Sequence, residues 1–234
     1  MSPRRYSCAL IALVLVAALA TVASAVPPYP VRTPQVTVSG TELQDYLNGI
    51  GESINVLTDQ LAAQTYIPSV SGNSAMTLMI ELAGNADQNV LGVYDPLQAA
   101  PTLYQVFPGN AGPRWSALVS FLVSGDIVVN LFNEFGVLQG NTVYPAVNLA
   151  NVGFYLSGPG GTFYSEDLRN GGAAQALMFA GTGRNGGDFW VCWEDLQNGG
   201  GSDMDFDDEV ILIQSLQPVP ATAETWGRIK AQYR

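Results

Sequence analysis

The chain of 234 residues contains no histidine, and its only lysine is Lys230. Without imidazole the sequence excludes Ser-His-Asp and Cys-His catalysis, and it excludes zinc sites that depend on histidine. Two cysteines are present, Cys8 and Cys192, and the first lies in a predicted export signal. The mature chain then keeps Cys192 alone, which excludes an intramolecular disulfide. We predict that this thiol is a small buried hydrophobe on a strand.

Residues 1–25 have the three parts of a secretory signal peptide. Arg4 and Arg5 are basic, the run 9–20 is apolar but too short to span a membrane comfortably, and ASA at 23–25 is a small-residue cleavage site. We therefore predict a secreted or cell-surface protein with no membrane span after cleavage. Residues 26–38 begin with a proline-rich stretch and are predicted to be an extended linker.

Basic residues are scarce. The chain has nine Lys and Arg against twenty Asp and Glu, and cleavage would remove two of the basic residues and none of the acids. A surface this acidic has no electrostatic means of binding nucleic acid or anionic lipid. It suits an exported protein that meets divalent cations outside the cell.

Helical periodicity is confined to one short segment after the linker. Ser39 and Glu42 fit a capping box, and Leu43, Tyr46, Leu47 and Ile50 recur at helical spacing before Gly49 and Gly51 end the pattern. Beyond it, short apolar runs alternate with Gly- and Asn-rich turns; they are 76–82, 90–95, 103–107, 116–123, 126–132, 152–156, 176–181, 189–194 and 209–215. The pattern predicts an all-β fold, an antiparallel β-sandwich of jelly-roll-like type with one short N-terminal helix, as a single domain over 39–217. The run 210–213 is apolar on both faces, so that strand should lie centrally in the core.

The segment 188–209 concentrates negative charge. It holds eight of the twenty carboxylates and no Lys or Arg. Like charges this dense repel, and oxygen-only ligands favour a hard cation such as Ca²⁺. The alternate spacing of Asp203, Asp205 and Asp207 resembles an EF-hand loop, but Asp208 stands where that loop needs Gly and Gln214 where it needs Glu. An EF-hand is therefore excluded.

A paired-loop calcium site fits the same residues better. Glu194 and Asp195 end one predicted strand, Gly199–Gly201 allow a tight turn, and the acids from Asp203 onward return beside Glu194. The predicted metal ligands are Glu194, Asp195, Asp203, Asp205, Asp207 and Asp208. The site is centred on Glu194, Asp203, Asp205 and Asp208, with backbone carbonyls and water completing six to eight ligands. A solvated acidic hairpin without an ion is the alternative.

The stretch 193–210, WEDLQNGGGSDMDFDDEV, resembles the signature of a bacterial exported domain of unknown function, DUF family 4114. Members of that family carry an aromatic-Glu-Asp-Leu, a Gly-rich turn, and then Asp-x-Asp-aromatic-Asn/Asp-Asp before an apolar strand. The matching positions are Glu194, Asp195, Asp203, Asp205, Phe206 and Asp208, with Asp207 where Asn is frequent. Segments 80–95 and 153–167 also resemble upstream parts of such proteins. The resemblance implies export and a calcium-dependent β fold, without an established activity.

The C-terminal residues 218–234 depart from that family. Many relatives end in a PEP-CTERM sorting signal with a hydrophobic span and a basic tail, whereas here PVPA is followed by TAETWGRIKAQYR. Trp226, Ile229 and Tyr233 fall on one helical face. Either a frayed terminus docked by Trp226 or a surface-attachment tag fits this tail.

Three functions fit the sequence. The first is a non-catalytic, calcium-stabilised module of the cell surface or extracellular matrix, whose partners are a divalent cation and, as alternatives, polysaccharide or other surface proteins. The second is a calcium-dependent carbohydrate-binding module that uses exposed aromatics, with candidates Trp115, Tyr155, Tyr164 and Trp190. The third is a glycoside hydrolase that pairs Glu194 with Asp203 or Asp208.

Overall fold

The computed structural model describes residues 29–68, 72–80, 86–197 and 201–219. The predicted signal peptide, residues 26–28 of the linker, Gly199 and Gly200 of the predicted turn, and the tail from residue 220 lie outside these ranges. Within them the chain forms one α-helix and thirteen strands, and every pair of neighbouring strands is antiparallel.

The strands form two large sheets and one small one. The helix α1 is Glu42–Gly49, and the strands are β1 Thr65–Pro68, β2 Asn73–Ile80, β3 Val90–Tyr94, β4 Leu103–Phe107, β5 Ser116–Phe121, β6 Ile127–Phe132, β7 Leu138–Tyr144, β8 Gly153–Gly158, β9 Gly161–Tyr164, β10 Ala176–Ala180, β11 Phe189–Trp193, β12 Glu209–Ile213 and β13 Leu216–Val219. The seven-stranded sheet has the order β10-β11-β12-β2-β5-β6-β7, the four-stranded sheet β4-β3-β8-β9, and β1 pairs with β13. The predicted all-β antiparallel sandwich with one short helix is confirmed.

Nine strands lie where the sequence predicts them, and four were missed. The missed strands β1, β9 and β13 have four residues each, too few for a clear alternation. The fourth, β7, has seven residues, all of them exposed or half-buried. Since neither face of β7 is buried, its sequence carries no apolar alternation to detect.

Successive side chains of β11 point alternately into two separate hydrophobic cores. Phe189, Val191 and Trp193 enter the core between the seven-stranded and four-stranded sheets, whereas Trp190 and Cys192 enter a second core on the opposite face of the seven-stranded sheet. That second core is closed by α1 through Leu43 and Leu47. Cys192 is fully buried on a strand, as predicted, and burial raises the pKa of its thiol.

The apolar strand β12 lies in the core, as predicted. It pairs with β11 on one side and β2 on the other. Val210 joins the core under α1, while Ile211 and Ile213 join the core between the sheets. Apolar residues are needed on both faces because both are covered.

The predicted capping box of α1 is wrong. The helix begins at Glu42 with Thr41 as N-cap, and the Thr41 side chain makes no capping hydrogen bond. Gly40 has a left-handed φ of 66°, which turns Ser39 away from the helix, and the Ser39 N–H donates instead to the carbonyl of Met204 at 2.7 Å. The segment before α1 is thereby joined to the acidic loop.

Candidate metal centre

The acidic loop connects two paired strands. β11 ends at Trp193, β12 begins at Glu209, and these two residues are partners in the antiparallel register. Glu194 immediately follows β11 and is therefore close to the residues that lead into β12. This pairing brings the acids that follow β11 together with the acids that precede β12, at one end of these two strands.

Glu194 is the buried anchor of the loop. Its side chain is 0% exposed, and its Oε1 accepts a hydrogen bond from the Phe206 N–H at 2.7 Å. The other oxygen, Oε2, accepts from the Ser202 hydroxyl. Phe206 is itself fully buried in the core under α1. The carboxylate thus holds the returning loop at two points.

Two residues of the loop have left-handed backbones. Met204 has φ 65° and Phe206 φ 59°, which is uncommon for residues other than glycine. The bonds from the Ser39 N–H to the Met204 carbonyl and from the Phe206 N–H to Glu194 hold this conformation. Such backbones persist where surrounding contacts fix them, and they cluster at functional sites.

Three carboxylates converge at this loop. Glu194, Asp203 and Asp205 each offer one oxygen, and the three oxygens lie within 4.8 Å of one another. Ligand oxygens bind Ca²⁺ at about 2.3–2.6 Å, so two of them on one ion are at most about 5.2 Å apart. The three oxygens are therefore close enough to contact a single Ca²⁺. Burial raises the pKa of both Glu194 and Asp205, and the neighbouring charge of Asp203 raises each further.

Asp207 lies beside these three and is almost completely buried, with 4% of the residue exposed. Its N–H donates to Asp205 Oδ1 at 3.3 Å, whereas its buried Oδ2 accepts no hydrogen bond from any residue the structure describes. Burial raises the pKa of Asp207 to about 7, and the charges of Asp205, Glu42 and Asp203 contribute. A buried carboxylate without a donor needs a proton or a cation.

The other two predicted ligands are engaged differently. Asp208 Oδ2 accepts from the Asp195 N–H at 2.8 Å, and Asp195 Oδ2 accepts from the side-chain amide of Asn89 at 2.9 Å. Asn89 immediately precedes β3 of the four-stranded sheet. Burial raises the pKa of Asp208 to about 7, and the charges of Asp195 and Glu194 add to this effect. Asp195 and Asp208 thus join the loop to the second sheet.

The structure adds one acid that the sequence did not indicate. The charge of Glu42, in the first turn of α1, contributes to the raised pKa of both Asp205 and Asp207. Nothing in the sequence links residue 42 to the loop, because only the packing of α1 on the sheet brings them together.

The aromatic candidates for sugar binding are mostly inaccessible. Trp190 is 0% and Tyr155 2% exposed, so neither can stack on a sugar ring. Tyr164 is half-buried and packs edge-on against Tyr94, with the Arg169 guanidinium 5.7 Å from its ring centre. Trp115 is half-buried against the core between the sheets.

In the ranges that the structure describes, no helix has the length and apolarity to cross a membrane. Comparison of the chain with family models, with curated proteins and with solved structures found no match. The resemblance to DUF family 4114 therefore stays a prediction, and the case for a metal centre depends on the geometry of the acidic loop.

Proposed function

We propose that this protein is an exported, non-catalytic β-sandwich module that binds Ca²⁺ at Glu194, Asp203 and Asp205, with Asp207 beside them. The observation that carries the proposal is the convergence of three carboxylate oxygens within 4.8 Å, one of them on a fully buried side chain. The orphan Oδ2 of Asp207 supports it independently, since a buried anionic oxygen without a donor favours a nearby cation.

The donor set favours a hard cation. All the converging groups are carboxylates, the chain has no histidine, and Cys192 is buried as a thiol whose pKa is raised by burial. Soft or borderline metals such as Zn²⁺ prefer sulfur and imidazole nitrogen. Ca²⁺ accepts carboxylates in irregular geometry, whereas Mg²⁺ requires a near-octahedral shell, so Ca²⁺ is the better match to ligands on a loop.

A structural role fits the position of the loop. It joins β11 to β12, reaches α1 through Ser39, and reaches the four-stranded sheet through Asn89 and Asp195. An ion bound there would replace repulsion between carboxylates with attraction. It would stabilise the contacts that join the seven-stranded sheet, the four-stranded sheet and α1.

Calorimetric titration and thermal unfolding of the mature chain test the proposal. Ca²⁺ at about one hundred times its Kd should add about 2.7 kcal/mol of stability, which for a domain of this size raises Tm by about 5–10 °C. Glu194→Gln keeps the hydrogen bond at Oε1 and removes the charge, so it should weaken binding strongly, and so should Asp205→Asn. Glu134→Gln, at an exposed position between β6 and β7, is the matched control. Absence of both binding heat and a Tm shift at millimolar Ca²⁺ would refute the proposal.

A further inference from the structure

The N-terminal segment and the acidic loop are in direct contact. The Ser39 N–H donates to the Met204 carbonyl at 2.7 Å, and α1 follows three residues later. The buried residues Leu43 and Leu47 hold the helix on the same face of the sheet that Phe206 enters. The first turn of α1 is therefore fixed next to the loop that carries the converging carboxylates.

Glu42, in that first turn, lies close to Asp205 of the loop. A β-carbon placed on Gly40 would lie 2.2 Å from Glu42 Oε2 and 3.9 Å from the β-carbon of Asp205. The separation of Glu42 Oε2 and Asp205 Cβ is therefore no greater than these two distances combined. Residue 40 must also be glycine for this arrangement, because any side chain there would displace the Glu42 carboxylate.

Asp207 adjoins the same groups: 4% of the residue is exposed, and its N–H donates to Asp205 Oδ1 at 3.3 Å. The residue before it, Phe206, is buried in the core beneath α1, and Asp207 Oδ2 is itself buried. No hydrogen-bond donor among the described residues satisfies that oxygen.

We propose that Glu42 supplies a further carboxylate ligand to the ion, so that Ca²⁺ fastens α1 onto the loop between β11 and β12. This inference rests on the proposed function, since it requires an ion at Glu194, Asp203 and Asp205. It adds a ligand from a separate element, distant in the chain from the acidic segment. The ion then controls the attachment of the N-terminal helix as well as the order of one loop.

The test compares Glu42→Gln with Asp45→Asn by calorimetric titration of Ca²⁺. Asp45 is also exposed, lies in the same first turn and carries the same charge, so its substitution controls for helix-dipole and net-charge effects. Glu42→Gln should raise the Kd for Ca²⁺ by about tenfold or more, because the number of charged ligands sets the affinity of such sites. Asp45→Asn should change the Kd by less than about twofold.

Hydrogen exchange supplies the second readout. In the wild-type chain, Ca²⁺ should slow amide exchange both in the loop 202–208 and in α1. In Glu42→Gln at saturating Ca²⁺, the loop should still be protected while α1 exchanges at its ion-free rate. A cooperative urea transition of each variant in chelator establishes that it is folded.

The outcomes separate the two proposals. A wild-type chain that binds no Ca²⁺ overturns the proposed function, and the role of Glu42 falls with it. A wild-type chain that binds Ca²⁺, together with equal Kd values for Glu42→Gln and Asp45→Asn, overturns the role of Glu42 alone. Calcium-dependent protection of α1 that persists in Glu42→Gln also overturns it.

Discussion

Removal of the Asp207 charge should stabilise the ion-free protein at neutral pH. The carboxyl is 4% exposed, one oxygen has no donor among the described residues, and burial together with three neighbouring acids raises its pKa to about 7. Above that pH the folded protein holds the Asp207 carboxylate as an anion in a buried site beside other acids, which destabilises the fold. Asp207→Asn has nearly the same shape and carries no charge, so it removes this cost.

The magnitude follows from the pKa of Asp207. An unfolded chain has an Asp pKa of about 3.9, and each unit of difference corresponds to about 1.4 kcal/mol, which gives an upper limit of about 4 kcal/mol. Solvent near the loop screens the interaction, and coupled neighbours share protons, so we expect about 2 kcal/mol. In a domain of this size that corresponds to a Tm increase of about 4–8 °C.

The direction of the pH dependence is fixed by the same shift. Because the folded-state pKa is raised, the folded protein binds the proton more tightly than the unfolded chain does between about pH 4 and pH 7. Stability without Ca²⁺ should therefore fall as pH rises through this window. The raised pKa of Asp208, also about 7, acts in the same direction. The lowered pKa of Glu52 acts only near and below its ordinary value, so it opposes this trend at the acidic end of the window alone.

Urea denaturation in chelator at pH 5 and pH 8 measures the effect. The wild type should be more stable at pH 5, Asp207→Asn should show a smaller difference, and Asp87→Asn, at an exposed position, should behave as the wild type. Ca²⁺ should restore the wild type at pH 8 and benefit Asp207→Asn less. If Asp207→Asn lowers the stability of the ion-free protein at pH 8, the carboxylate is favourably paired and the reasoning is wrong.

Two further predictions concern the scaffold. Trp190 is fully buried between the sheet and α1, so Trp190→Ala should lower the free energy of unfolding by about 3–5 kcal/mol in urea, whereas Leu168→Ala, at 80% exposure, should stay within about 0.5 kcal/mol. Arg169 donates to the carbonyls of Pro96 and Gln98, both at 2.8 Å, and to Glu166. Arg169→Ala should cost about 1–3 kcal/mol by the same assay, and a change below about 0.5 kcal/mol would show that these contacts add nothing.

Alternation made most of the sandwich predictable from the sequence. β11 and β12 are buried on both faces, and their continuous apolar runs give their positions closely. The residues of β7 are exposed or half-buried. No buried face therefore imposes an apolar alternation on its sequence, and the strand could not be found. The helix was located by its spacing, but its start was misplaced, because Gly40 redirects Ser39 to a partner that local sequence does not reveal.

The candidate site was predictable to the extent that it is local. The pairing of β11 with β12 follows from their closeness in the chain, and it brings Glu194 to Asp203 and Asp205. The roles of neighbouring acids were not predictable, since the left-handed backbones of Met204 and Phe206 break the alternation that would assign each side chain to a face. Asp208 was expected at the centre, yet one of its oxygens is bonded to the Asp195 N–H.

The charge balance of the loop explains why pH and Ca²⁺ should act on the same groups. The ion pairs among the described residues are Arg32–Asp167 and Arg169–Glu166, and the segment 188–209 contains no basic residue. Protons or a cation would therefore relieve the repulsion among the buried carboxylates of the loop. The pKa values of Asp207 and Asp208 are raised to about 7, so both carboxyls are protonated in mildly acidic solution and lose their protons at higher pH. Titration of Ca²⁺ at constant temperature should accordingly release protons near pH 7 and almost none at pH 9, and a release that does not depend on pH would contradict the assignment of these carboxylates to the site.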